Sequence, residues 1–156
     1  MGSFAFTDCS KHFEKGWCGV RPLSTTRSEV EKRFGKPTID DNDYHTYITS
    51  DARIQVNYSV ALCSENRYGR GEFNVPKDTV LGYYVRPNDT LGSKLLFDKD
   101  NFQEDKSGHD LRFRVFDSKE LGLRIWVYVD YLKNERVSSL HYTPTEKDQL
   151  QKSCPK

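Results

Sequence analysis

Hydrophobic residues change their spacing once along this chain, and the change separates a helix from a run of strands. In Thr26-Arg-Ser-Glu-Val-Glu-Lys-Arg-Phe-Gly-Lys-Pro37 the apolar positions Val30 and Phe34 lie four apart, one above the other on a helix. Both ends carry matching signals. Thr26 is placed to accept from the orphan N–H groups of a first turn while Glu29 reaches back to the N-cap, a capping box. Gly35 suits the left-handed residue that ends a helix, and Pro37 forbids its continuation. The pattern predicts a helix over Arg27–Phe34.

From Tyr44 onward a period of two takes over. It predicts strands over Tyr44–Thr49 and Arg53–Val60, joined by a tight turn at Ser50-Asp51, with Ile54, Val56, Tyr58 and Val60 on one face. Further strands follow over Val80–Arg86, Leu111–Phe116, Leu123–Asp130 and Arg136–Tyr142, the last two joined through Lys133-Asn134. Short helices are expected over Thr90–Phe97, capped by Asn88 or Asp89, and over Thr145–Gln151, capped by Thr145. Gly19–Leu23 reads as extended, and the polar, glycine-rich Cys63–Gly71 as an exposed loop. This order argues for an α+β fold: a curved antiparallel sheet of about five to six strands, the capped helix at 27–34, and one or two short extra helices. A single domain over 19–156 follows an amino-terminal segment, 1–18. Helix followed by antiparallel strands occurs twice, which also suits two fused halves, 19–62 and 73–156.

Charged residues make up 30% of the chain, but the net charge is only +1 and the two signs are interspersed, so no polyanion-binding surface is indicated. Nucleic acid is not an expected partner. Hydrophobic residues amount to 35% and aromatic ones to 13%, which requires a core built largely on rings. No apolar run approaches the roughly 20 residues that a membrane-spanning helix needs. Met1-Gly2-Ser3 has the form of an added expression start, so a native signal peptide is expected to be missing from this chain.

Cys9, Cys18, Cys63 and Cys154 are even in number, widely spaced and unlike the close pairs of zinc sites. Two disulfides are expected, and with them a secreted or periplasmic location. Three connectivities are open. Cys9 with Cys18 and Cys63 with Cys154 is the favoured one, the second tying the carboxyl-terminal tail to mid-chain.

No local signature of catalysis accompanies His12, His45, His109 and His141, and Gly-x-Ser-x-Gly is absent. Asp98-Lys-Asp100-Asn101 begins like a calcium loop, but Phe102 occupies a ligand position and Gln103 replaces the turn glycine. Gly69-Arg-Gly71 lacks the lysine and the strand-to-helix setting of a phosphate loop. No catalytic residue, metal or cofactor is therefore expected.

The strand Leu123–Asp130 has two unlike sides. Leu123, Ile125, Val127 and Val129 form an aliphatic core stripe, while Arg124, Trp126, Tyr128 and Asp130 face the other way. Arg112, Arg114 and Phe116 read as continuing that second side on the preceding strand. Tyr, Trp and Arg dominate binding hot spots because they join large apolar area to directional hydrogen bonds. Arg112, Arg114, Arg124, Trp126 and Tyr128 are thus the candidate partner-binding residues. The competing reading packs Trp126 under another element and pairs the arginines with local carboxylates.

Pro22-Leu-Ser-Thr-Thr-Arg-Ser-Glu-Val-Glu-Lys-Arg-Phe-Gly-Lys-Pro37 followed by a hairpin resembles the helix-Gly-x-Pro opening of the SmpA/OmlA small lipoproteins and the related β-lactamase-inhibitor-protein-like fold. Gly16-Trp17, Phe73-Asn-Val-Pro-Lys-Asp-Thr-Val80 and Cys154-Pro155 look like features of secreted bacterial proteins of unknown function. The resemblance implies a small helix packed on a curved antiparallel sheet and a domain that works by binding proteins, with no catalytic residue to inherit. The expected function is a non-catalytic secreted or periplasmic protein-binding module that uses one face of its sheet. The alternatives are an enzyme of unrecognised type, with His109 or His141 as acid or base, and a small-ligand carrier with an aromatic-lined cavity.

Overall fold

The computed structural model describes residues 8–63, 73–108 and 110–155. Its fold is α+β: eight strands form one open antiparallel sheet with a few short helices. In chain order these are α1 (Arg27–Phe34), β1 (Ile39–Asp40), β2 (Tyr44–Ile48), β3 (Ala52–Tyr58), β4 (Val80–Pro87), α2 (Asp89–Gly92), β5 (Gln103–Asp105), β6 (Phe113–Ser118), β7 (Leu123–Val129), β8 (Glu135–Tyr142) and α3 (Glu146–Lys152). The sheet order is β1-β2-β3-β4-β8-β7-β6-β5, the same pattern from either side. A helix and a four-strand meander occur twice, and the last strand of each meander meets the other at the centre. All six expected strands form. The two additional ones, β1 and β5, are the short outer edges.

Cross-strand register sorts the side chains onto two faces. The row Tyr47, Ile54, Val85, Leu140, Ile125, Phe116 crosses six strands on one face, and every member is buried. Phe13, Trp17, Val20 and Val30 pack with this row, as does Leu95, to make the main core. Phe13–Lys15 and Trp17–Gly19 are single 3-10 turns, and Cys18 is joined to Cys9 by a disulfide. Two tyrosines at the β4–β8 seam hold this segment down. Their rings stack at 4.4 Å. The Tyr83 hydroxyl accepts from Trp17 N–H and donates to the Val20 carbonyl, both at 2.8 Å, while the Tyr142 hydroxyl donates to the Phe13 carbonyl at 2.7 Å. Burial pushes both phenols above their ordinary pKa.

The predicted helix forms with its predicted ends: Thr26 and Glu29 make the reciprocal capping box, and Gly35 closes it at φ 80°. Arg27 then ties α1 to the sheet through Asp78 at 3.0 Å, the Asn42 carbonyl at 2.7 Å and the ring of Tyr58 at 4.4 Å. The second disulfide is Cys63–Cys154, and the Phe73–Ser153 bridge lies next to it.

Three expectations change. Gly19–Leu23 is not a strand; Arg21 N–H bonds Thr25 Oγ1 and Leu23 takes a φ of 63°, so the chain turns there. The helix foreseen over Thr90–Phe97 stops at Gly92, although Asn88 caps it as expected; α2 lies so close to β8 that a side chain at Gly92 would strike the Val137 carbonyl. β6 starts at Phe113, since the Asp110 carboxylate and carbonyl gather Arg112 N–H and Phe113 N–H into a turn. The glycine-rich loop expected up to Gly71 lies, beyond Cys63, outside the described residues, as does His109.

Candidate partner-binding face

The second face of the sheet starts from the same alternation and ends differently. Its central register row is Thr46, Gln55, Tyr84, His141, Arg124, Asp117, Gln103. Gln55, Tyr84, His141, Arg124 and Asp117 are half-buried rather than packed into the core. No helix of the described residues is long and apolar enough to cross a membrane.

An unbroken series of ring contacts crosses this face over β4, β8, β7 and β6. Tyr84 stacks on His141 at 5.8 Å, His141 lies 6.4 Å from Trp126, and Trp126 meets Phe113 edge to face at 6.0 Å. Phe113 meets Tyr128 the same way at 5.6 Å. Cations close both ends: Arg86 sits over Tyr84 at 5.6 Å and Arg136 over Tyr128 at 4.3 Å. Each ring is fixed by its neighbours, so little side-chain entropy remains to be lost on binding. The Tyr84 hydroxyl donates to Gln55 Oε1 at 2.7 Å, and His141 Nε2 lies 3.1 Å from Ser139 Oγ. Burial, with Arg124 and Arg86 nearby, holds the His141 pKa below the ordinary imidazole range.

The candidate residues divide between the two faces. Arg124, Trp126 and Tyr128 share one face, as expected, and each is half-buried there. Arg112, Arg114 and Phe116 do not continue it. β6 pairs Phe113 with Tyr128, Val115 with Trp126 and Asp117 with Arg124, which turns Arg114 and Phe116 to the core side beside Ile125 and Val127. Arg114 there bonds Glu104 through two nitrogens at 2.9 and 3.1 Å, bonds Glu135 at 2.7 Å and covers the Phe116 ring. These carboxylates raise the Arg114 pKa, and Arg114 and Lys99 lower those of Glu104 and Glu135. Arg112 sits at the exposed mouth of the strand, paired with Asp110. Arg124 is held by both Asp117 oxygens, at 2.6 and 2.7 Å, and by Asp105 at 3.4 Å.

Sequence reasoning missed Phe113, Tyr84, Arg86 and Arg136. Tyr84 was discoverable from the Tyr83-Tyr84 doublet, whose members must face opposite ways in a strand. Among the described residues no cluster of His, Cys, Asp and Glu is arranged to hold a metal ion. Beside Trp126 the face opens into a depression of about 1270 Å³ between the Lys106–Ser107 segment and α3.

Comparison with protein-family models, with curated proteins and with solved structures gave no match to this chain. What is defined is therefore a class, a disulfide-bonded α+β domain with one sheet, covered on one side and carrying a row of rings on the other.

Proposed function

We propose that this domain is a non-catalytic binding module of an oxidising compartment, secreted or periplasmic, and that the row Tyr84, His141, Trp126, Phe113, Tyr128 docks a partner protein. The row itself carries the reading. Rings locked by edge-to-face and stacked contacts, with guanidinium groups at both ends, have the composition of an interface hot spot, and each keeps part of its surface open to solvent. Two disulfides support the compartment. The helix-Gly-x-Pro opening and the doubled helix-plus-meander order support kinship with the SmpA/OmlA and β-lactamase-inhibitor-protein-like group, whose mode of action is binding.

A photo-crosslinking residue at position 113 or 128 is expected to capture one partner from a secreted or periplasmic fraction, while the same residue at Asp43 captures none. With that partner purified, Trp126→Ala and Tyr128→Ala should each weaken binding by about 2 kcal/mol, roughly thirtyfold. Unchanged affinity in a correctly folded double variant would refute the assignment.

A further inference from the structure

The depression beside Trp126 differs in chemistry from the ring row and calls for a different ligand. We propose that it is a saccharide-binding site that takes a segment of a neutral oligosaccharide. This goes beyond the protein-binding reading and does not depend on it.

A sugar ring presents an apolar C–H face and a rim of hydroxyl groups, so it needs a flat aromatic floor beside fixed donors and acceptors. Both are present. Trp126 and His141 line the floor; Arg124, Asp105 and Asp117 stand on one side and Glu146 and Gln149 of α3 on the other. The Arg124–Asp117 pair is bidentate and Arg124 also reaches Asp105, so these groups hold one another in place before a ligand arrives. Each ionised carboxylate still has lone pairs for incoming hydroxyl groups. At about 1270 Å³ and open to solvent, the space admits several linked rings.

Charge selects against ionic ligands. Asp105, Asp117, Glu120 and Glu146 line the depression against Lys106, Lys119 and Arg124, while Glu104 at its edge gives its carboxylate to Arg114 on the core side, so four carboxylates face three cations. A phosphate, sulfate or uronate would meet net repulsion, with the one guanidinium already engaged. A cationic peptide gains little either, because Asp117 and Asp105 serve Arg124, and Lys106 and Lys119 balance Glu120 and Glu146 in the same depression. Neutral hydroxyl groups use what is left.

The full chain, labelled with ¹⁵N, is titrated with chitotetraose, cellotetraose, maltotetraose and mannotetraose, with a heparin-derived tetrasaccharide and a tetralysine peptide as ionic probes. At least one neutral tetrasaccharide is expected to shift the Trp126 indole and Arg124 Nε resonances saturably, with affinity changing less than about twofold between low and high salt. Asp117→Asn and Trp126→Ala should each lower that affinity at least about tenfold with the remaining spectrum in place; Trp126→Phe, which keeps a ring, should lose less. Absence of neutral saccharide binding up to about 10 mM, shifts confined to another surface, or binding only of an ionic probe with steep salt dependence would each overturn the proposal. Because the crosslinking at 113 and 128 uses no saccharide, either assignment can fail while the other stands.

Discussion

Replacing Tyr83 by Phe tests what the amino-terminal turns contribute to this fold. The ring stays, so its stack on Tyr142 and its burial at 3% exposure are kept; only the hydroxyl goes. That oxygen serves two backbone groups at once, accepting from Trp17 N–H and donating to the Val20 carbonyl. Trp17 and Val20 are themselves buried, so the variant leaves a donor and an acceptor without partners. Each orphaned group costs about 1–3 kcal/mol, which gives a loss of about 2–6 kcal/mol for the pair. Tyr142→Phe is the internal comparison. It orphans only the Phe13 carbonyl and should cost about 1–3 kcal/mol, half the loss at Tyr83. Equilibrium unfolding in urea with both disulfides intact would show the two midpoints falling in that order at constant m-value. A Tyr83→Phe variant within about 0.5 kcal/mol of the parent, or more stable than Tyr142→Phe, would show that the turns are not sealed from water and would refute the reasoning.

The two disulfides should contribute unequally: Cys63–Cys154 closes 91 residues and Cys9–Cys18 only 9, which in the chain-entropy model gives about 4.6 against about 2.6 kcal/mol. Paired Cys→Ala variants compared by thermal unfolding check this, and equal losses would contradict it. Gly92→Ala drives a methyl into the Val137 carbonyl where α2 lies on β8, and should cost about 2–3 kcal/mol in denaturant unfolding, far more than an ordinary helix substitution. Stability should also fall on acidification in two stages. His141, with its folded pKa depressed, contributes stability that is fully present above about pH 6.5 and is lost as pH falls toward its folded value; His141→Gln should remove this stage from unfolding curves. Glu104 and Glu135, also depressed, contribute above about pH 4.5 and lose their contribution below it, a stage that Arg114→Met should flatten.

Much of the fold was legible locally. A capping box, a buried stripe and a Gly-x-Pro stop fix α1 without reference to anything distant, and the alternation in β3 and β7 marks both the strand and its core side. What stayed hidden depends on partners. β1 and β5, of two and three residues, are too short to show a period and exist because β2 and β6 offer them hydrogen bonds. β6 shows the limit for the site: its two sides, Phe113, Val115, Asp117 and Arg114, Phe116, Ser118, each mix apolar with polar residues, so its own pattern cannot say which side joins Trp126. That is decided by the Ser118–Leu123 turn, one residue of which would exchange the two sets. Hence Arg124, Trp126 and Tyr128, on one strand, were placed together correctly, while Arg114 of β6 and Arg112 just before it were not.

The seam at β4 and β8 also sets an order of events in time. Phe13 is anchored by Tyr142, 129 residues further on, and the central strand β4 has no neighbour on one side until β8 has been made. On a ribosome the first half can form its meander early, but its middle edge and the apolar turns before α1 stay unsatisfied until β8 has emerged. A growing chain of this kind has its longest period of exposure at what becomes the centre of the molecule, where a chaperone that shields strand edges would have most to protect.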